Sequence, residues 1–95
     1  GYIEIGNDVL IGQNTVLRAS DHKISDQNEK INKQGHTGGK IIIGNNVWIG
    51  ANCVILKDVK VEDNSVIGAG TVISKDVKKN EVVVGNQQRT LKKKI

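Results

Sequence analysis

Phenylalanine and methionine are absent from this chain of 95 residues, and Trp, Tyr and Cys each occur once. A globule of this size usually relies on aromatic side chains for core volume. Their scarcity excludes a thick mixed core and calls for a thin aliphatic one, of the kind a solenoid builds coil by coil. Cys53, alone in the chain, excludes an internal disulfide. No apolar run approaches the roughly 18 residues needed to cross a bilayer. The first residues, Gly1-Tyr2-Ile3-Glu4, lack the basic region, apolar run and cleavage site of a secretory signal. They also lack an initiator Met, so the expectation is one domain, 1–95, truncated at its N-terminus and cytoplasmic.

What the chain does have is a repeat. Six successive hexads begin at Ile43, Ile49, Ile55, Val61, Ile67 and Ile73, and their fifth places are Val47, Cys53, Val59, Ser65, Thr71 and Val77. A helix needs apolar spacing near 3.6. Here each fifth place stands two residues before the next anchor, so the two share one face of a short strand. The residues between are Gly, Asn, Asp, Ala or charged and form turns. Three strand-and-turn units close one triangular coil, which predicts an all-β, left-handed parallel β-helix. Cys53 is then a small inward residue and reads as core packing. A reactive thiol needs an exposed, electropositive site, which this place does not predict.

Ile5-Gly6-Asn7-Asp8-Val9-Leu10 and Ile11-Gly12-Gln13-Asn14-Thr15-Val16 obey the same rule, and Leu17 opens a third unit whose fifth place is Asp21. A carboxylate directed into an aliphatic interior is costly unless paired, so the frame breaks there. Residues 22–42 read as one long insertion loop, and loops of that length more often bind than merely connect. After two further coils, in which Gly44, Gly50 and Gly68 fit tight corners and Asn46, Asn52 and Asn64 fit left-handed ones, Val82-Val83-Val84 form a last strand. Residues from about 85 to 95 leave the helix as a C-terminal cap over its open end.

Net charge is +4, with basic residues gathered at Lys75, Lys78, Lys79, Arg89 and Lys92-Lys93-Lys94. Too few aromatics exist to stack on single strands, and no helix could read a duplex groove, which argues against nucleic acid. A phosphate-bearing small molecule is the better partner, with Lys93 and Lys94 read as a solvated tail. His22 stands where the repeat fails and is the first candidate for a base working near neutral pH, with a nearby carboxylate such as Asp21 as a possible orienter. His36, between Gly35 and Thr37, reads as a loop residue and is the second candidate for that base. Trp48 occupies an outward sixth place and marks either a subunit interface or a ligand wall. Flat apolar faces on a prism predict a closed cyclic oligomer, three copies enclosing three equivalent grooves.

The hexads, the string Gly44-Asn45-Asn46-Val47-Trp48-Ile49-Gly50-Ala51-Asn52, the segment Ile67-Gly68-Ala69-Gly70-Thr71-Val72-Ile73-Ser74-Lys75-Asp76 and the terminal Gly85-Asn86…Arg89 resemble the left-handed β-helix acetyltransferases. The similar branch holds maltose, galactoside, xenobiotic and polysaccharide O-acetyltransferases. That resemblance implies acetyl-CoA as co-substrate, no metal, a homotrimer, and a hydroxyl acceptor on a sugar. It places the catalytic base at His22, the pantetheine arm along the backbone at Ala51 and Ala69, Ser74 and Lys75 beside the coenzyme, and Arg89 and Lys92 at its phosphates, with Trp48 in the coenzyme wall. Gln87-Gln88 replaces the family's usual Pro-Ala, and the family's earlier coils, which help form the acceptor pocket, are not in this sequence. The alternatives are a non-catalytic trimerisation module, or transfer to serine, an antibiotic or an amino sugar. A zinc site like that of β-helix carbonic anhydrases needs three imidazoles.

Overall fold

The computed structural model describes residues 1–93 and forms the expected left-handed parallel β-helix, with strands on three faces. The first face stacks β1 (Tyr2–Ile5), β6 (Lys40–Ile43) and β9 (Val59–Val61). The second stacks β2 (Leu10–Ile11), β7 (Trp48–Ile49), β10 (Val66–Ile67) and β12 (Glu81–Val84), and the third β3 (Val16–Leu17), β8 (Val54–Ile55) and β11 (Val72–Ile73). All of these pairings are parallel.

All twelve first and fifth places of the six hexads are buried. The polar ones are satisfied by backbone carbonyls, which is why they are tolerated inside. Ser65 Oγ donates to the Glu62 carbonyl at 2.7 Å, Thr71 Oγ1 to the Gly68 carbonyl at 2.6 Å, and Cys53 Sγ to that same carbonyl at 3.2 Å. Cys53 is core, as read. The first coil is less covered, and its inward-facing Ile3, Ile5 and Ile11 are exposed.

Left-handed backbone falls on the fourth place of seven hexads, at Asp8, Asn14, Asn46, Asn52, Asp58, Asn64 and Gly70; the hexad that opens at Ile73 departs, with positive φ at Asn80 and not at Asp76. Asn and Asp enter that region most readily after Gly, because a short polar side chain bonds locally. The glycines at second places serve a different purpose from the one expected. None of Gly44, Gly50 and Gly68 has positive φ. What Gly50 supplies is room, since a Cβ there would stand 2.6 Å from the Ala69 amide nitrogen of the next coil.

Corner side chains tie coil to coil. Asp63 accepts the Asn45 N–H at 2.7 Å across eighteen residues, and Asn46, Asn64 and Asn80 form a ladder of amide bonds. Between the first and second coils the same spacing is thirty-eight, so this turn holds twenty extra residues (38 less 18). Between the third and fourth coils it falls to sixteen, and Val77 pairs with Val61 rather than stacking on Val59. The repeat had been expected to run unbroken to Lys78. A two-residue deletion keeps Val77 facing inward, because side chains alternate with period two.

The insertion is partly strand. β4 (Ser20–His22) and β5 (His36–Gly38) pair antiparallel, and a single 3₁₀ turn spans Ile31–Lys33. The helix resumes at Lys40, so Ile41 and Ile42 belong to β6. At the other end β13 (Arg89–Lys93) folds back antiparallel on β12, with a register shift between Val82 and Val83. The cap therefore extends the second face rather than lying flat across the end. Lys93 is in that strand, while Lys94 and Ile95 lie outside the described residues.

Candidate active site

The hairpin that carries His22 leaves the helix at the corner between the third and first faces. Its rungs alternate as antiparallel pairing requires. Gly39 N–H donates to the Ala19 carbonyl at 2.7 Å and Lys23 N–H to the Gly35 carbonyl at 2.9 Å. The rung next to Lys23 and Gly35, His22 opposite His36, is thus a non-hydrogen-bonded pair, the closer of the two types. The two exposed imidazoles meet edge to face, centroids 4.4 Å apart and planes at 63°. His36 is a strand residue directly across from His22, not a loop residue. Gln34 holds the tip together: its Oε1 accepts the Asp26 N–H at 3.2 Å, and its Nε2 donates to the carbonyls of Asp26 and Glu29.

Asp21 does not orient His22. No hydrogen bond joins the two side chains among the described residues, and the Asp21 carboxylate lies 3.5 Å from the Arg18 guanidinium. A cleft of about 670 Å³ opens between the hairpin and the next coil, lined among others by Asp21, His22, Thr37 and Lys57. Lys57 was not anticipated. Its signal was in the repeat, because it occupies the corner one coil before Lys75.

Asp58, next to Lys57, fixes that corner. Its Oδ1 accepts the Lys40 N–H at 3.2 Å and its Oδ2 the Lys57 ammonium at 3.3 Å. The Lys40 amide first, then the Lys57 side chain, hold its carboxyl below the usual range. The fold thus favours the ionised form. This contribution is present above the unfolded carboxylate pKa of about 3.9 and is lost as pH falls through the lower folded value. Asp58→Asn is expected to lower the melting temperature slightly at neutral pH and to leave it unchanged once the carboxylate is protonated. A difference that persists at low pH would refute a role for its charge.

Ser74 and Lys75 lie at this same corner one coil further on. Both backbone N–H groups donate to Gln88 Oε1 at 2.9 Å, and Gln88 Nε2 returns a bond to the Lys75 carbonyl. Gln88, noted as a departure from the family pattern, hooks the terminal hairpin onto this corner. His22, Lys57, Ser74 and Lys75 therefore share one edge of the prism.

The remaining expected residues lie elsewhere. Ala51 and Ala69 stack at the corner between the second and third faces, where the Gly70 N–H donates to the Ala51 carbonyl at 2.9 Å. Trp48 is 57% exposed on the second face, in a row that runs Leu10, Trp48, Val66, Val82, Lys92. Arg89 lies near the other end of β13, opposite Val84. Within one chain the third face, with Val54 and Val72 outward, separates these residues from His22.

Residues 40–75 match the family model described as bacterial transferase hexapeptide, six repeats. The galactoside O-acetyltransferase of Escherichia coli K12 is 39% identical over 91 residues, which cover 95% of this chain and 43% of that protein. A putative acetyltransferase of Bacillus subtilis 168 is 37% identical over 89 residues, 94% of this chain and 46% of that protein. Among solved structures, a hexapeptide-repeat acetyltransferase of Vibrio cholerae complexed with acetyl coenzyme A superposes with a TM-score of 0.87 at 32% identity, covering 96% of this chain and 49% of that one. A galactoside acetyltransferase in complex with coenzyme A gives 0.86 at 39% identity, covering 96% and 44%. The chain spans less than half the length of the curated relatives it matches.

Proposed function

The chain belongs to the bacterial transferase hexapeptide-repeat family, and from that premise we propose that the protein containing it transfers acetyl from acetyl-CoA to a hydroxyl, with His22 as general base. The observation that carries this reading is the placement of His22: an exposed imidazole held by strand pairing at the rim of a cleft, in a chain similar to coenzyme A-dependent enzymes.

In the proposed reaction the neutral His22 takes the acceptor hydroxyl proton as its oxygen attacks the thioester carbonyl. A backbone N–H near Ala51 stabilises the oxyanion. Collapse breaks the carbon–sulfur bond, and the imidazolium returns its proton to the departing thiolate, leaving an acetyl ester and free coenzyme A. No step calls on a metal. Small residues at Ala51 and Ala69 let the coenzyme approach the backbone, Ser74 and Lys75 line its path, and Arg89 and Lys92 supply charge-assisted bonds to its phosphates.

His22 and the Ala51–Ala69 corner sit on different edges of one prism, so a site using both takes its base from one chain and its coenzyme corner from a neighbour. We assign this to a cyclic homotrimer, with Leu10, Trp48 and Val66 at the contact. Relatives named for galactoside transfer favour a sugar acceptor.

The test is thiol release by the full-length protein with acetyl-CoA and a panel of sugars, amino sugars, serine and aminoglycosides. Turnover with a sugar supports the reading, and turnover with amines alone overturns the acceptor class. If there is no turnover with any acceptor and acetyl-CoA does not raise the melting temperature, the chain is a trimerisation module, because a ligand that binds only the native state must raise it.

A further inference from the structure

The acyl-transfer chemistry gives work to His22 and none to His36. Yet the hairpin sets the two face to face on the rung where antiparallel strands come closest, with Cα atoms about 4.5 Å apart. Two imidazole nitrogens, each about 2.0–2.1 Å from one zinc ion, stand roughly 3 Å from each other. The ring centroids are 4.4 Å apart, which brings the two rings close enough for one ion to meet a nitrogen of each. Both rings are exposed, so an ion enters without opening the fold. No carboxylate or cation is hydrogen-bonded to either ring among the described residues.

We propose that His22 and His36 form a two-imidazole chelating site for a divalent transition ion, of the borderline class that prefers nitrogen donors: zinc, nickel or copper. Among the described residues no group of three or more His, Cys, Asp or Glu side chains could hold a metal. The ion is therefore held by two protein ligands, its other positions filled by water, and it exchanges with the medium. It is not a structural ion, since the rung is already closed by backbone bonds on both sides.

The occupied site has a consequence that rests on the reading of His22 as the base. A coordinated His22 has committed a ring nitrogen lone pair to the metal and cannot accept the acceptor proton with it, so ion and acetyl transfer exclude one another. The hairpin would then make the enzyme sensitive to free transition metal, with His36 as the residue that confers the sensitivity.

The experiment is calorimetric titration of nickel and zinc into the full-length protein, with copper as a spectroscopic probe of nitrogen ligation. One ion per chain is expected, with copper showing two nitrogen ligands. His36→Ala and His36→Gln should each weaken binding on the order of a hundredfold, since the second imidazole acts at high effective concentration. Circular dichroism on both variants separates loss of the ligand from loss of the fold. Absence of saturable binding, or affinity unchanged in both folded variants, overturns the proposal. Because binding is read without turnover, an inactive protein that chelates would sink the acetyltransferase reading alone, and an active one that does not chelate would sink this proposal alone.

Discussion

Replacing His22 by alanine in the full-length protein is expected to lower acetyl transfer by about 10²–10⁴-fold, the range general-base catalysis supplies, while leaving coenzyme A affinity unchanged. The split follows from geometry. His22 lies on the hairpin at the corner between the third and first faces, whereas Ala51 and Ala69 form the corner beyond the third face. The imidazole is exposed and, among the described residues, makes its one ring contact with His36, so its removal costs little stability, within about 0.5 kcal/mol for a surface change. Steady-state rates and a coenzyme A titration on the same preparation are sufficient. Transfer at the wild-type rate by His22→Ala would remove the imidazole from the mechanism. Loss of coenzyme A binding would instead place His22 in the coenzyme site.

The second large effect concerns the fold. Ile49→Ala is expected to destabilise the 95-residue chain by about 2–5 kcal/mol, as for other large-to-small changes in packed cores. Ile49 is fully buried and has Ile11 below it and Ile67 above it on the second face. In a solenoid each coil packs only on its neighbours, so a cavity in a middle coil deprives both sides at once. Ile11→Ala, on the same row but 41% exposed, should cost less than half as much in this chain. Urea unfolding of the two variants compares them directly. Equal losses would mean that burial along the row does not decide stability.

Most of the architecture was legible because its cause is local. Each first and fifth place of the six hexads is inward for the same reason, and left-handed corners recur on an Asn, Asp or Gly at the fourth place as far as Gly70. Where the reading failed, the cause was contact between coils. Gly50 looked like a corner residue, but its role is set by the Ala69 backbone of the next coil. Likewise, the four-residue step from Ile73 to Val77 matches that from Ile55 to Val59, and only pairing reveals that Val77 stacks on Val61.

The sequence by itself determined the repeat, the inward residues, the position of the break and His22 as the residue to watch, because hydrophobic period and turn chemistry act over a few residues. Tertiary structure decided what the break contains. Fourteen positions separate His22 from His36 in the chain, and no periodicity links them; strand pairing across the insertion sets them face to face. Packing between coils likewise put Lys57 beneath the hairpin, gave Gln88 its place on the Ser74 and Lys75 amides, and left Trp48 and His22 on different faces of the prism.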